Sequence, residues 1–301
     1  MTIKIQEVIT RDGFQMEKKF IPTETKIKLI DELSECGFSK IEITSFVSPK
    51  VVPQLSDADI VAQAIKRNKD VSYVALVANL KGAERAIDAN IDEINLVMSA
   101  SATHNMKNVN QLHEQSLDGF RNIMKLIKGS AIKVNGSIAT SFGCPFEGSI
   151  SEELILRIID DYLEMGMNSI TLADTTGMAN PVQVKRLVNK VKLEIDEIPL
   201  SLHFHNTRGM GLANVLAAIE AGASQFDSSL GGLGGCPFAP GATGNICTED
   251  LVHMLDQMGI NNSANLDRLI NISKKLPNIV GRNDLPGQVV KSGKITDLHE
   301  F

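Results

Sequence analysis

The sequence predicts an α/β fold: eight strand–helix units closed into a (β/α)8, or TIM, barrel, with an extra helix after it. Three observations carry that prediction. Segments of strand and helix character alternate from Ile3 onward with little interruption. They form eight pairs, which favours a closed barrel over an open, doubly wound sheet. Ionisable residues recur at the C-terminal ends of the strands, the face on which barrel enzymes carry their chemistry.

The elements follow in order. Ile3–Ile9 alternates apolar and polar residues with period two, a strand signal, and leads into a loop carrying Arg11, Asp12 and Gln15. Thr23 is placed to cap a helix over residues 24–35 that stops at Gly37. The run KIEITSF is a second strand with Glu42 inside it, Asp57–Arg67 reads as helix, and VSYVALV as a third strand. KGAERAIDA is helical and EINLVMS is strand four. Gln111–Lys128 is helical, because Leu117, Phe120, Met124 and Ile127 recur at spacings of three and four. AIKVNGSIAT is strand five, followed by a helix that opens on Ser151-Glu152-Glu153 and ends at Gly166. SITLAD and LSLHFHN are strands six and seven, followed by helices over Pro181–Glu194 and Gly211–Ala221. Ser224–Ser228 is strand eight, and Thr248–Met258 is its helix. Ala264–Lys274 is the extra helix, and residues 281–301 show no clear period. The expectation is one catalytic domain over residues 1–301, with the barrel over about 3–260 and a C-terminal extension over about 261–301.

Composition narrows the function. Hydrophobic residues make up 43% and charged residues 22%, as in ordinary globular enzymes. The net charge of −6 argues against a nucleic-acid partner, and an anionic substrate would need local positive charge instead. No apolar run reaches the roughly 18 residues of a membrane span. The start, MTIKIQEVITRDG, has neither a signal-peptide nor a transit-peptide layout. Cys36, Cys144, Cys236 and Cys247 show no CxxC spacing and no dense disulfide framework, so a cytoplasmic location is expected. A homo-oligomer, most simply a dimer, is the prior for assembly.

The candidate site gathers at the strand ends. His203 and His205 sit two apart on strand seven, so both imidazoles face one side. In a closed barrel only strand eight separates them from Asp12. Two imidazoles with carboxylate and amide oxygens suit an octahedral Mg2+ or Mn2+ better than zinc, which prefers four ligands and often thiolate. Arg11 offers a planar fork of donors for a carboxylate or an enolate, and Glu42 is placed to hold that guanidinium. Asp174, at the end of strand six, fits either a helix cap or a catalytic carboxylate. His104, His113 and His253 read as loop or helix-surface residues without an evident partner. Cys144, in FGCPFEG, reads as a pocket wall.

The glycine-rich run SLGGLGGCPFAPGATGN, residues 229–245, places Cys236 in a stretch that can bend and approach a ligand closely. This run resembles the cysteine-bearing loop of the 3-hydroxy-3-methylglutaryl-CoA lyases. RDGFQMEK, EITSFVSPK, FGCPFEG, ADTTG and HFHNTRG resemble further stretches of that family, in the same order, over about residues 5–260. The resemblance implies cleavage of 3-hydroxy-3-methylglutaryl-CoA to acetyl-CoA and acetoacetate with a divalent metal. By matched position it implies Asp12, His203, His205 and Asn245 as ligands, Arg11 as the essential cation and Cys236 as the catalytic thiol. Asp174 and His203 join Cys236 as candidate acids, and Arg11, Gln15, Glu42 and Thr175 are the candidate substrate contacts. Three positions depart from the family pattern: Met16 for Asn, Ala173 for Gly, and Asn206 for Asp. Met16 leaves open a longer or more apolar 3-hydroxy-3-alkylglutaryl-CoA, and Asn206 removes a charge expected beside the metal. The other readings are a Claisen-condensing barrel resembling isopropylmalate or homocitrate synthase, and an inactive acyl-CoA- or metal-binding barrel.

Overall fold

The computed structural model describes residues 1–235 and 244–297. Eight parallel strands close into a barrel in sequence order. They are β1 (Lys4–Glu7), β2 (Lys40–Ser45), β3 (Ser72–Leu76), β4 (Glu93–Ser99), β5 (Lys133–Ala139), β6 (Ser169–Asp174), β7 (Leu200–Phe204) and β8 (Gln225–Ser228). Closure comes from β1, which pairs with β2 on one side and with β8 on the other, Lys4 opposite Gln225 and Glu7 opposite Ser228. The surrounding helices are α1 (Thr23–Ser34), α2 (Ala58–Ala64), α3 (Leu80–Asp88), α4 (Ala102–Val109), α5 (His113–Leu126), α6 (Glu152–Glu164), α7 (Pro181–Ile195), α8 (Gly211–Glu220) and α9 (Thr248–Gln257). Three more, α10 (Leu266–Ser273), α11 (Leu276–Val280) and α12 (Val289–Ser292), follow the barrel. Among the described residues no helix is long and apolar enough to cross a membrane.

The main core lies between strands and helices, where Ile94, Leu96, Leu202 and Phe204 are fully buried. The lumen differs from the Val/Ile/Leu layers usual in such barrels. Asn135 Nδ2 donates to Asn95 Oδ1 at 3.0 Å and to Thr171 Oγ1 at 3.0 Å, and Ser137 Oγ donates to Asn95 Oδ1 at 2.7 Å. Asn95 Nδ2 in turn donates to Glu42 Oε1 at 3.2 Å, so the hydrogen-bonded column climbs toward the mouth. Buried amides and hydroxyls are tolerable only when paired, and these are paired with one another.

Several elements differ from the sequence reading. The first strand ends at Glu7, and Ile9–Gly13 forms a π-helical turn in which the Val8 carbonyl accepts from Arg11, Asp12 and Gly13. Thr23 does not cap α1. Pro22 holds that position, and the Thr23 hydroxyl donates to Asp57 Oδ2 at 2.8 Å. Asp57 also receives the buried Lys26 ammonium at 2.8 Å. Committed to these partners, its carboxylate makes no cap bond to α2, which is shorter than expected. The polar stretch after β4 forms α4, which lacks an apolar stripe but is capped by Ser101, whose side chain accepts from His104 N. The segment after α11 carries α12, whose first N–H groups, from Gln288 and Val289, donate to the Asp250 carboxylate.

Candidate metal centre and catalytic mouth

The π-helical turn shapes the site. In a strand, Arg11 and Asp12 would face opposite sides. The wide turn instead directs both neighbours into the mouth, where both are buried and in contact with each other. The Arg11 guanidinium is held at two points: Nε donates to Glu42 Oε2 at 2.5 Å and Nη1 to Asp12 Oδ1 at 2.6 Å. Gln15 Nε2 donates to the same Asp12 oxygen at 2.7 Å. Gln15 therefore braces Asp12, while Arg11 and Gln15 both line the cavity above.

Facing them, His203 at the end of β7 and His205 just beyond it turn their Nε2 atoms toward each other, 3.1 Å apart. His205 Nε2 lies 3.7 Å from Asp12 Oδ2. One donor atom from each of Asp12, His203 and His205 falls within 4.8 Å of the other two, a spacing suited to one shared cation. Asn245 joins from the far side of the glycine-rich stretch. Its Nδ2 donates to Asp12 Oδ2 at 2.6 Å and to the Leu233 carbonyl at 3.0 Å, while its buried Oδ1 has no hydrogen-bond partner among the described residues. A buried, unpaired amide oxygen is costly unless something else satisfies it, and a metal ion would. Gly234, at φ +118°, keeps the floor clear, because a Cβ there would fall on Asn245 Nδ2 and close to Asp12 Oδ2. The donor set of carboxylate, amide oxygen and two imidazoles therefore fits a divalent cation, with Asp12, His203, His205 and Asn245 as its holders.

The Asp12 and His205 shifts agree with that arrangement. Burial alone would raise the Asp12 carboxyl, but Arg11 and the two imidazoles outweigh it and hold the group well below the usual carboxylate range. Burial pushes His205 below its ordinary value, toward the neutral form a metal requires. His203 is opposed by burial yet raised by Asp227, whose Oδ2 lies 3.1 Å from His203 Nδ1.

The structure brings Arg11, Asp12, Gln15, His203, His205 and Thr175 onto one cavity of about 470 Å3. Glu42 stands behind Arg11, fully buried, as a support. Thr175 Oγ1 accepts from Thr140 N at 2.9 Å. Asp174 does not cap α7, a role taken by Asn180. Its Oδ1 accepts from Met178 N and Ala179 N within the loop, and its buried Oδ2 has no hydrogen-bond partner among the described residues. Burial pushes this carboxyl up to about 6 against those two bonds. Cys236 lies outside the described residues, as does the stretch 236–243 around it.

Three sequence expectations change. His104 is a buried residue whose Nδ1 lies 2.7 Å from Ser99 Oγ, and His113 Nε2 reaches the Ser99 carbonyl at 2.8 Å, so neither is a surface histidine without a partner. Asn206 faces away from the metal site: its Oδ1 accepts from Gly211 N at 2.9 Å, at the start of α8. The Asp-to-Asn departure thus bears on a helix terminus more than on a ligand. Met16 is exposed, whereas Ala173 lines the cavity.

The sequence reading missed the residues that root the glycine-rich stretch, and it missed Asp227. Glu7 Oε1 accepts from Ile9 N at 2.9 Å and from Leu230 N at 3.0 Å, and Oε2 accepts from Thr248 Oγ1 at 2.7 Å. Burial pushes the Glu7 carboxyl up to about 8. Glu249 accepts from Gly231 N, Ser273 Oγ and Cys247 Sγ. Two buried carboxyl groups therefore tie both ends of the stretch to the barrel. Asp227 pairs in register with His203 across β7 and β8, and aligning the two strands was the signal that would have found it.

The HMGL-like family model matches residues 2–276. The chain is 43% identical over 297 residues to the hydroxymethylglutaryl-CoA lyase YngG of Bacillus subtilis, covering 96% of this chain and 98% of that one. It is 43% identical to the mitochondrial hydroxymethylglutaryl-CoA lyase of Homo sapiens, covering 89% and 82%. A solved structure of an HMG-CoA lyase from Acinetobacter baumannii, in complex with coenzyme A and 3-methylmalate, superposes with a TM-score of 0.97 at 55% identity, covering 100% of this chain and 98% of that one. Together with the closed barrel, these matches establish that the chain belongs to the HMGL-like family.

Proposed function

We infer that the protein is a carbon–carbon lyase cleaving 3-hydroxy-3-methylglutaryl-CoA to acetyl-CoA and acetoacetate. The observation that carries this reading is the juxtaposition of the Asp12–His203–His205 donor triangle with the Arg11 guanidinium at one cavity. Similarity to hydroxymethylglutaryl-CoA lyases across nearly the whole chain supports it.

Cleavage begins with loss of the C3 hydroxyl proton. The oxygen electrons form the ketone of acetoacetate, the C2–C3 bond breaks, and its electron pair becomes the enolate of acetyl-CoA. A Mg2+ or Mn2+ ion held by Asp12, His203, His205 and Asn245 would polarise the substrate oxygens and lower the pKa of the C3 hydroxyl. Arg11, fixed by Glu42 and Asp12, meets the developing enolate oxygen without reorganising. Gln15 and Thr175 orient the acyl chain from the cavity wall. Asp174 stands behind the cavity wall formed by Ala173 and Thr175; with its carboxyl pushed up to about 6 and no partner for Oδ2 among the described residues, it is our candidate to take the hydroxyl proton through one bridging water. Cys236 is assigned to return a proton to the enolate carbon, since no acyl transfer is needed. His203 is assigned to the cation, because both of its ring nitrogens are already engaged. The protein acts as a homodimer in the cytoplasm under this reading.

The test is direct. Purified protein with Mg2+ and 3-hydroxy-3-methylglutaryl-CoA should release equal amounts of acetyl-CoA and acetoacetate. Removing the metal with EDTA should stop release, and Arg11→Gln should lower kcat by about 10²–10³-fold. Full turnover after complete metal removal would sink the mechanism. The A. baumannii neighbour was crystallised with 3-methylmalate. The CoA thioester of that acid would break by the same chemistry to glyoxylate and propionyl-CoA, so it belongs in the same assay as a competing substrate.

A further inference from the structure

We propose that Asp227 is a positioning residue for the metal centre: it holds the Nδ1 proton of His203 and thereby keeps the His203 Nε2 lone pair aimed at the cation. The proposal rests on the metal-binding reading above and extends it to a residue outside the ligand set.

The geometry is specific. Asp227 lies directly opposite His203 in the β7–β8 register. Its Oδ2 is 3.1 Å from His203 Nδ1, and both residues are buried, at 5% and 7% exposure. A neutral imidazole has one N–H and one lone pair, and the partner of one nitrogen decides the state of the other. A carboxylate can only accept, so the bond to Asp227 places the proton on Nδ1. The lone pair is left on Nε2, the atom that faces His205 and Asp12. The two histidines are not equivalent in this respect. The buried Nδ1 of His205 has no hydrogen-bond partner among the described residues. Facing the His203 lone pair at 3.1 Å, His205 carries its proton on Nε2, and that proton must leave when the cation arrives. His203 is the pre-organised half of the pair and His205 the adaptable half. Asp227 also adds negative charge behind a ligand, which strengthens a metal–imidazole bond.

The experiment compares Mn2+ binding, by electron paramagnetic resonance of the free ion, in wild type, Asp227→Asn and Asp227→Leu. Asn keeps the size and an accepting oxygen but loses the charge; Leu loses both. The expected order is wild type tightest, Asn weaker, and Leu about 10- to 100-fold weaker than wild type. In the metal-free protein with 15N-labelled histidine, wild-type His203 should carry its proton on Nδ1, and Leu should lose that signature. The Asn variant guards against misfolding, since it preserves the hydrogen bond and the packing. Equal Mn2+ affinity in all three proteins, or an unchanged His203 tautomer in the Leu variant, would overturn the proposal. Failure of the wild type itself to bind Mn2+ is a distinct outcome: it would remove the metal centre and the role of Asp227 with it.

Discussion

Glu7 shows how much one buried group can do. It bonds to the π-helical turn, to the entry of the glycine-rich stretch and to the residue after its exit, and it is fully buried. Burial raises its carboxyl from an ordinary value of 4.5 to about 8. The folded state therefore holds a proton that the unfolded chain releases above about pH 4.5. The contribution of this group to stability is complete below that pH and is lost as pH rises through about 8. Glu7→Gln mimics the protonated form and keeps the acceptor. Its thermal midpoint should fall less than that of wild type between pH 5 and pH 8. Parallel pH profiles would show that Glu7 does not titrate in this window. Asp227 and Glu7 were illegible for the same reason: a lone acid in a short strand has the pattern of a solvent-facing residue, and only the partner strand shows otherwise.

The strand–helix units were legible because their periods differ, two for strands and about 3.6 for helices, and because glycines mark several stops. The HxH pair was legible for the same reason. The π-helical turn and α4 were not. The turn has neither period, and α4 buries His104 and Asn105 rather than an apolar stripe. The β5–α6 contact shows how tightly elements are fitted. A Cβ on Gly136 would fall on the Tyr162 ring and 2.6 Å from Met167 Sδ. Gly136→Ala should thus destabilise the protein by about 1–3 kcal/mol in denaturant melts, through overpacking rather than strain in the strand backbone. An unchanged midpoint would mean that the ring and the thioether can yield together.

Across the whole molecule, the residues after the barrel do more than extend it. Gly287 N donates to the Gly231 carbonyl at 3.1 Å, and a Cβ on Gly231 would meet Leu276 at 2.9 Å. The C-terminal segment thus packs against the base of the glycine-rich stretch. Asp250 on α9 fastens that segment by accepting from Gln288 N and Val289 N. Asp250→Ala should cost about 1–3 kcal/mol. It should also raise amide exchange both near residue 288 and near residue 231. Exchange confined to the tail would show that the two regions are uncoupled. This contact was not legible beforehand, because a segment without a period offers no face to assign.

The π-helical turn has one further consequence. It presents the Arg11 guanidinium and the Asp12 carboxylate from consecutive backbone positions, with no spacer between them. Removing one residue there would tighten the coil and swing Asp12 about 100° around the axis, out of the mouth. Cationic fork and acid are therefore geared to one pivot, and neither can be re-aimed without carrying the other along.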